Sequence, residues 1–221
     1  MKPKGRDQMH IFPASHTESL SQDPEVRGLL AQSQPGSVTF HPLDSMIYAQ
    51  GDKAGPLYLV EFGTVRICRL TADGRRQITS FCTAGDVFGL EEGDEHQSYA
   101  ESVDGVGVRS LRAVNSAAFA QKLLGLALRR LARAQRHALL LGRLNANEKM
   151  AAFLLDLLER QESDDIVNLP MQRNDIADYL GLTFETVSRV LRVLKDRRII
   201  RLLSVDRIEV IDIAALTALG D

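Results

Sequence analysis

The chain has 221 residues, a formal net charge of −2 at pH 7, 44% hydrophobic residues and 25% charged residues. These proportions are ordinary for a soluble globular protein of one large domain or two modest ones. They exclude a chain that is basic throughout, so any surface that binds nucleic acid must be a local cluster.

Cysteine usage and hydropathy exclude several further classes. Only Cys68 and Cys82 occur, far apart and without metal-ligand spacing, which argues against a disulfide scaffold and against a metal site. The sequence has no secretory signal and no apolar stretch long enough to span a bilayer. We therefore expect a cytoplasmic protein without membrane contact.

The first two segments of the chain differ in their residue patterns. Residues 1–32 are expected to form a loose arm with one short helix near residues 24–32. In residues 33–113, short apolar runs such as 57–60 and 65–68 alternate with glycine and with the Asp73-Gly74 dipeptide. Short strands with such turns are typical of an antiparallel barrel or sandwich.

Residues 114–144 have the pattern of a long helix. Leucine and alanine dominate, and apolar residues recur at i, i+3, i+4 and i+7. This apolar stripe consists of Leu124, Ala127, Leu128, Leu131, Ala134, Ala138 and Leu141. Further leucines lie off the stripe, so one face can pack on the barrel and another on a second copy of the helix. We predict a dimerisation helix; the alternative is a helix buried within one chain.

A second domain is expected to follow a hinge near Asn145. The polar run at residues 145–147 interrupts the helical pattern, and Asn147 is expected to cap a new helix from Glu148 to about Gln161. A polar turn follows. The C-terminal domain therefore comprises residues 145–221.

Residues 176–191 match two helices joined by a tight turn. Ala177 is small where the helices cross, and Gly181 supplies a backbone conformation that a side chain would make costly. Val187 is expected to fill the core between the helices. Thr183 is placed to cap the second helix.

The second helix has an apolar face and a polar face. At about 100° per residue, the apolar face holds Val187, Val190, Leu191 and Leu194, and the polar face holds Glu185, Ser188, Arg189 and Arg192. Arginine can donate two hydrogen bonds to guanine, and glutamate can accept one from cytosine N4. Glu185 and Arg189 can also pair with each other. The polar face predicts a major-groove contact, although a solvated helix with an ordinary ion pair shares the pattern.

A basic cluster and a hairpin follow this helix. The cluster consists of Arg192, Lys195, Arg197, Arg198 and Arg201, opposed only by Asp196. Within a domain that is acidic overall, it predicts a phosphate-binding surface. Residues 199–203 and 207–211 predict the hairpin of a winged helix-turn-helix.

From Phe40 onward the chain resembles the Crp/Fnr family of bacterial transcription regulators. The glycine frame at residues 51–52, 63–65, 73–74 and 85–89 is similar to the family's cyclic-nucleotide-binding-type β-roll. The long helix resembles the family's dimer helix, and residues 175–194 resemble its helix-turn-helix. The resemblance implies an α+β fold: an N-terminal β-roll, a long dimerisation helix and a C-terminal winged helix-turn-helix.

The same resemblance implies the DNA contacts. Residues 182–189 resemble the Fnr and FixK branches, in which a Glu, a Ser and an Arg contact the bases of a TTGA-type half-site. Glu185, Ser188 and Arg189 are the implied base contacts, and Phe184, at a variable position, could pack on a thymine methyl. The expected phosphate contacts are Arg173, Thr183 and Thr186, with Arg192 and Lys195 of the basic cluster.

Two missing ligand patterns favour the FixK branch. Fnr itself holds an iron–sulfur cluster with N-terminal cysteines, whereas no cysteine precedes Cys68. Members that bind cyclic AMP carry an Arg-Ser pair in the phosphate cassette, whereas residues 89–98 contain four acids and no arginine, and would repel an anion. The resemblance to FixK, carried also by residues 85–91, implies a homodimeric activator without a cofactor that recruits RNA polymerase. Its implied targets are genes for low-oxygen respiration, nitrogen fixation or denitrification.

Several alternatives remain open. In the Fnr branch a turn at this position contacts RNA polymerase, so Asp73, Gly74 and Arg75 are candidates, although a plain hairpin turn explains them equally well. A haem-sensing or small-ligand-responsive member is the closest rival. Its candidate ligands are His10, His16, His41, His96 and His137. An enzyme built on the β-roll lacks a Ser/His/Asp set, a metal motif and a P-loop, and an adaptor protein is the third class.

Overall fold

The computed structural model describes residues 24–220 except Asp73. Within these residues the helices are α1 (Pro24–Ala31), α2 (Ala117–Arg143), α3 (Ala146–Arg160), α4 (Arg173–Leu180), α5 (Phe184–Asp196) and α6 (Ile213–Gly220). The strands are β1 (Ser33–His41), β2 (Met46–Tyr48), β3 (Leu57–Phe62), β4 (Val65–Leu70), β5 (Arg76–Cys82), β6 (Val87–Phe88), β7 (Tyr99–Ser102), β8 (Val106–Ala113), β9 (Ile166–Asn168), β10 (Ile200–Leu202) and β11 (Arg207–Val210). This order confirms the predicted α+β fold. The short helix expected near residues 24–32 is α1, and the rest of the arm lies outside the described residues.

Two four-stranded antiparallel sheets form the β-roll. Their strand orders are β1-β8-β3-β6 and β2-β7-β4-β5. Val60, Val65 and Phe88 from the two sheets meet in one buried cluster, as expected where each sheet turns one face to a core. The turn between β3 and β4 requires glycine, because Gly63 has a φ of +80° and a Cβ there would lie 2.4 Å from the carbonyl oxygen of Gly105.

The predicted long helix is α2. The Ser116 side chain caps it by accepting a 3.1 Å hydrogen bond from the backbone N–H of Phe119. Phe119 then joins Leu29 of α1 and Leu111 of β8 in a buried apolar cluster. One side of α2 therefore packs on the chain's own N-terminal half.

The apolar stripe lies on another side of α2. Leu124, Leu128 and Leu131 are 59%, 57% and 54% exposed. Ala134 and Ala138 are also exposed, and Ala127 and Leu141 are partly buried. Most of the stripe is thus left uncovered by the part of the chain that the structure describes.

The start of α3 differs from the prediction. The N-cap is Asn145, not Asn147, because the Asn145 side chain accepts hydrogen bonds of 2.9 Å and 3.2 Å from the backbone N–H groups of Asn147 and Glu148. The Glu148 carboxylate accepts one of 2.8 Å from the Asn145 N–H in return. This reciprocal capping box requires an acid three residues after the cap, and Glu148 satisfies that spacing only for Asn145.

A three-stranded sheet, in the order β10-β11-β9, completes the C-terminal domain. β10 and β11 form the predicted hairpin, with Arg201 opposite Glu209. β9 and α6 are additions that the sequence patterns above do not predict. The core of this domain is continuous with Cys68, Ile78 and Phe81 of the β-roll, so the two domains pack directly on each other. No helix in residues 24–220 is long and apolar enough to cross a membrane.

Candidate nucleic-acid interface

The tight turn between α4 and α5 has the predicted geometry. Gly181 adopts the left-handed conformation, with φ +61° and ψ +42°, and its N–H bonds the carbonyl of Ala177. Ala177 and Val187 are buried between the two helices. The nearest atom to a Cβ built at Gly181 is a methyl of Leu141 at 3.4 Å. Backbone conformation, not lack of space, therefore explains the glycine.

Thr183 caps α5 as predicted. Its hydroxyl accepts a 3.2 Å hydrogen bond from the backbone N–H of Thr186 and lies 3.1 Å from the hydroxyl of Thr186. Glu185 lies in the first turn, where its own backbone N–H and the Thr183 hydroxyl lower the pKa of its carboxyl. Glu185 is therefore held as a carboxylate, the form that accepts hydrogen bonds from cytosine N4.

The two faces of α5 separate as predicted. The buried residues of this helix are Val187, Val190, Leu191 and Leu194. On the other side Glu185, Arg189 and Arg192 are exposed, and Ser188 is partly buried. Phe184, the first residue of the helix, is also exposed. The structure thus brings all four predicted base contacts to one end of an exposed helix face.

Glu185 and Arg189, which are spaced so that they can pair with each other, form no ion pair within the described residues. The Nη2 atom of Arg189 instead donates a 3.4 Å hydrogen bond to the Thr186 hydroxyl. Glu185 lies in the first turn of α5, after the Thr183 cap and at the positive end of the helix dipole. Both side chains stay exposed, so each remains free to contact a base separately.

Arg173 and Ser188 contact each other across the helix pair. The Nη1 atom of Arg173, at the start of α4, donates a 3.3 Å hydrogen bond to the Ser188 hydroxyl. A predicted phosphate contact therefore touches a predicted base contact. The bond uses one lone pair of the serine oxygen and leaves its O–H and its second lone pair available.

The basic cluster surrounds the C-terminal half of α5. Its exposed members on and just after the helix are Arg192, Lys195, Arg197 and Arg198. Arg201, on β10, lies 2.7 Å from Glu209 on β11. Arg201 is thus partly neutralised by the wing and contributes less to the positive surface than its neighbours.

Comparison with known proteins identifies this arrangement. The family model of the Crp-like helix-turn-helix domain matches residues 148–219, and that of the cyclic nucleotide-binding domain matches residues 39–123. Over 209 residues the chain is 43% identical to the nitrogen fixation regulation protein FixK of Rhizobium meliloti (strain 1021), covering 95% of this chain and 99% of that protein. The chain belongs to the Crp/Fnr family of transcription regulators. Its helix-turn-helix is the DNA-binding domain of a FixK-like regulator.

Two further relatives agree with this placement. The FixK of Azorhizobium caulinodans is 37% identical, covering 95% of this chain and 91% of that protein. The structure of FixK2 from Bradyrhizobium japonicum is similar with a TM-score of 0.79 and 37% identity, over 86% of this chain and 98% of that chain. The FixK-like resemblance noted from the sequence is therefore confirmed across both domains.

Sequence reasoning missed two charged residues that support the DNA-binding domain. Lys149 of α3 is buried, and its Nζ donates a 3.2 Å hydrogen bond to the carbonyl of Leu180, which is the last residue of α4. A cation there satisfies an unpaired carbonyl and the negative end of the helix dipole. Asp175 is also buried, and its partners come from the β-roll. Neither residue stands out in a sequence, because each has only distant partners.

The cassette of this Crp/Fnr chain is held by its own residues. His96 is buried, its Nδ1 lies 3.0 Å from Oε1 of Glu91, and its ring stacks on Tyr48 with centroids 3.6 Å apart. The other oxygen of Glu91 accepts a 3.3 Å hydrogen bond from the Gln97 N–H. One of the four cassette acids thus has an internal structural role.

The remaining candidate ligands are scattered through the fold. His137 of α2 stacks on Tyr179 at 4.0 Å and donates a 2.8 Å hydrogen bond to its carbonyl, and burial lowers the pKa of His137. Burial also lowers the pKa of the partly buried His41. His10 and His16 lie outside the described residues. Within residues 24–220, Asp73 aside, no group of three or more His, Cys, Asp or Glu could hold a metal ion.

The turn between β4 and β5 is the candidate polymerase contact. Its Asp73 lies outside the described residues. Gly74 has a φ of +79° and donates a 2.8 Å hydrogen bond to the Thr71 carbonyl, and the Thr71 N–H bonds the carbonyl of Arg75 at 2.9 Å. Gly74 and Arg75 are exposed on this hairpin turn.

Proposed function

We propose that this chain is a transcription activator that binds a TTGA-type palindrome as a homodimer, without a cofactor. The observation that carries the proposal is the two-faced α5. Its apolar face is buried, and the opposite face presents Glu185 and Arg189 to solvent beside the partly buried Ser188. A helix of this kind, following a tight turn, enters the major groove with the N-terminal part of its exposed face against the bases.

The chemistry of this face suits a TTGA-type half-site. Arg189 has the planar fork that matches guanine O6 and N7, and Glu185 can accept from the exocyclic amine of a cytosine on the complementary strand. Arg173 holds the Ser188 hydroxyl between them. Phe184 is exposed beside these groups, where its ring is available to a thymine methyl. Thr183, Thr186, Arg192 and Lys195 are the proposed phosphate contacts, together with Arg173.

The uncovered apolar stripe on α2 supports the proposed homodimer. Leu124, Leu128 and Leu131 are more than half exposed in the single chain, although a soluble protein gains roughly 1.5–3 kcal/mol from burying such a side chain fully. A second copy of α2 presents the same residues and covers them by two-fold symmetry. Two-fold symmetry in turn explains why the operator is a palindrome.

The absence of an effector is supported by the cassette. It has no arginine to balance a cyclic phosphate, and Glu91 is already engaged by His96 and Gln97. The names of the relatives support genes for nitrogen fixation as targets, with low-oxygen respiration and denitrification as related possibilities. The exposed turn at Gly74 and Arg75, with Asp73, is the proposed contact to RNA polymerase.

The deciding experiment is DNA binding by chain freed of metal and nucleotide. Fluorescence anisotropy with a TTGA-type palindrome should give a dissociation constant of about 10 nM or tighter at physiological salt, and binding to a scrambled duplex should be at least about 10³-fold weaker. Equal affinity for both duplexes contradicts the proposed function. If cyclic AMP or a reconstituted iron–sulfur cluster raises the affinity tenfold, effector independence is wrong. A Soret band in the purified protein would support the haem-sensing alternative.

A further inference from the structure

Four charged side chains join α4 to the β-roll, and we call them the interdomain ion cluster: Arg66 on β4, Arg76 on β5, and Asp175 and Asp178 on α4. Nη1 of Arg66 lies 3.1 Å from one carboxylate oxygen of Asp175, and Nη2 of Arg76 lies 2.5 Å from the other. Arg76 also lies 2.8 Å from Asp178. Next to it, the Gln77 side chain donates a 2.5 Å hydrogen bond to the Asp178 carbonyl. Two neighbouring strands of the β-roll thus hold one helix of the helix-turn-helix.

The two most buried charges of the ion cluster need partners within the protein. Asp175 is 3% exposed and Arg66 is 9% exposed, so each charge depends on its protein partners. Arg66 is further bound to Glu101 at 2.7 Å and to Asp44 at 3.1 Å, both within the β-roll. Burial disfavours its charged form, but these partners and Asp175 outweigh that effect and raise the pKa of Arg66. Arg66 is therefore held in its charged form.

The geometry allows one orientation of α4. Each oxygen of the Asp175 carboxylate takes an arginine from a different strand, and charge-assisted hydrogen bonds of this kind are directional. Because Ala177 of α4 and Val187 of α5 belong to one buried cluster, an orientation imposed on α4 is passed to α5. The DNA-contacting face of α5 stays exposed in this arrangement.

The ion cluster is one part of a longer interface. At the other end of β5, Arg160 of α3 lies 2.8 Å from Asp86 and donates a 3.1 Å hydrogen bond to the Phe81 carbonyl. At the same end of β5, the rings of Phe81 and of Tyr179 on α4 are 5.3 Å apart. We expect these contacts to keep the domains together when the ion cluster is broken, so that its loss loosens the hold on the start of α4 without separating the domains.

We propose that Asp175 is a positioning residue that, through Arg66 and Arg76, fixes the recognition helix at the operator spacing before DNA binds. The inference rests on the proposed function, because only a dimer that meets two half-sites needs a fixed spacing. A preformed arrangement avoids the cost of ordering the domains during binding. The ion cluster then does for this chain what a bound effector could do by ordering the two domains.

A local role for Asp175 is the competing explanation. It lies in the first turn of α4, where any acid interacts well with the helix dipole, and the N-cap Gln172 makes no side-chain cap bond. Substitutions on the β-roll side separate the two roles. Arg76 is on β5, and its loss leaves the sequence of α4 untouched.

The experiment compares Arg76→Gln and Arg76→Asp with the conservative variant Arg76→Lys, which keeps a positive charge beside Asp175 and Asp178. Arg76 is partly exposed, so these variants are expected to fold, which circular dichroism checks. Binding is measured on the palindrome and on one whose half-sites are two base pairs further apart, which turns one half-site by about 70°. Glu61→Gln is the matched control, because Glu61 pairs with Arg109 within the β-roll alone.

Arg76→Gln and Arg76→Asp should each lose about tenfold in operator affinity, and their preference for the original spacing should shrink by a similar factor. Arg76→Lys should retain most of both, and Glu61→Gln should change neither. Hydrogen exchange should also rise in residues 76–82 and 173–180 of Arg76→Gln and Arg76→Asp. Normal affinity, spacing preference and exchange in these variants overturn the proposal and leave operator binding intact. Failure of the proposed function differs, since the wild-type chain then binds the palindrome no better than scrambled DNA.

Discussion

Helices α2 and α5 make an instructive pair, since each buries one face in the chain and leaves another at the surface. The free face of α5 carries Glu185 and Arg189, whereas the free face of α2 carries Leu128 and Leu131. Charged side chains that can form hydrogen bonds with base edges favour a nucleic acid as the partner. Uncovered leucines favour a partner with an apolar surface. Under the proposed function the same amphipathic geometry serves two partners, and the chemistry of the free face decides which.

The largest effect is expected from a charge at Leu131, on the free face of α2. Because this side chain is 54% exposed in one chain, Leu131→Asp should leave the monomer fold intact. In a dimer the charge would be buried in an apolar seam at a cost of several kcal/mol. We expect sedimentation to show monomers and operator affinity to fall by about 10²–10⁴-fold, since the two half-sites no longer act together.

Leu43→Asp is the matched control for this change. Leu43 is a similarly exposed leucine of the β-roll and lies outside the stripe, so its variant should remain a dimer. A Leu131→Asp variant that also stays dimeric would show that the stripe is not the dimer contact. The helix face would then need another partner.

On the other side of the comparison, Arg189→Ala tests the base contact. Loss of the arginine fork should cost about 1–3 kcal/mol per half-site and flatten discrimination at one base pair. The measurement is anisotropy on the operator and on single-base substitutions of it. Arg189→Lys is the informative control, because lysine keeps the charge but lacks the planar fork. It should retain the salt dependence and still lose base preference.

An opposite result for Arg189 would also be informative. If Arg189→Ala keeps full base preference and loses only salt dependence, the arginine contacts a phosphate. The helix would then lie in the groove in a rotated position. The assignment of the chain as a DNA-binding regulator does not depend on this outcome.

The sequence predicted the parts of the structure whose causes are local. The turn at Gly181, the cap at Thr183 and the two faces of α5 each follow from residues within a few positions of one another, and all are present. The start of α3 was also decided locally, but by the Glu148 spacing, which favours Asn145 over Asn147. The prediction of Asn147 as the cap is wrong because the residue three positions after it is Met150, which cannot complete a capping box.

Features that depend on distant partners were not predictable in this way. The three-residue strand β9 exists because it pairs with β11, which no short pattern reveals. The bond from Arg66 to Asp175 joins residues 109 positions apart. In the sequence Asp175 resembles any acid in the first turn of a helix. Only the packing of α4 on β4 and β5 gives it buried cationic partners.

The smallest effect is expected from Arg192→Ala. Comparing this variant with Arg189→Ala distinguishes a phosphate contact from a base contact on the same helix. Arg192 lies about one turn beyond Arg189, where we expect α5 to leave the groove. Arg192→Ala should weaken binding to all sequences about equally and lower the slope of log K against log salt by about 1 per half-site. Arg201→Ala is the matched control, because Arg201 is exposed but paired with Glu209 at 2.7 Å and should change the slope less. A salt titration on cognate and single-base-substituted operators separates the cases. A change in base preference for Arg192→Ala would extend the base-contacting face by a further turn, and the basic cluster would then begin at Lys195.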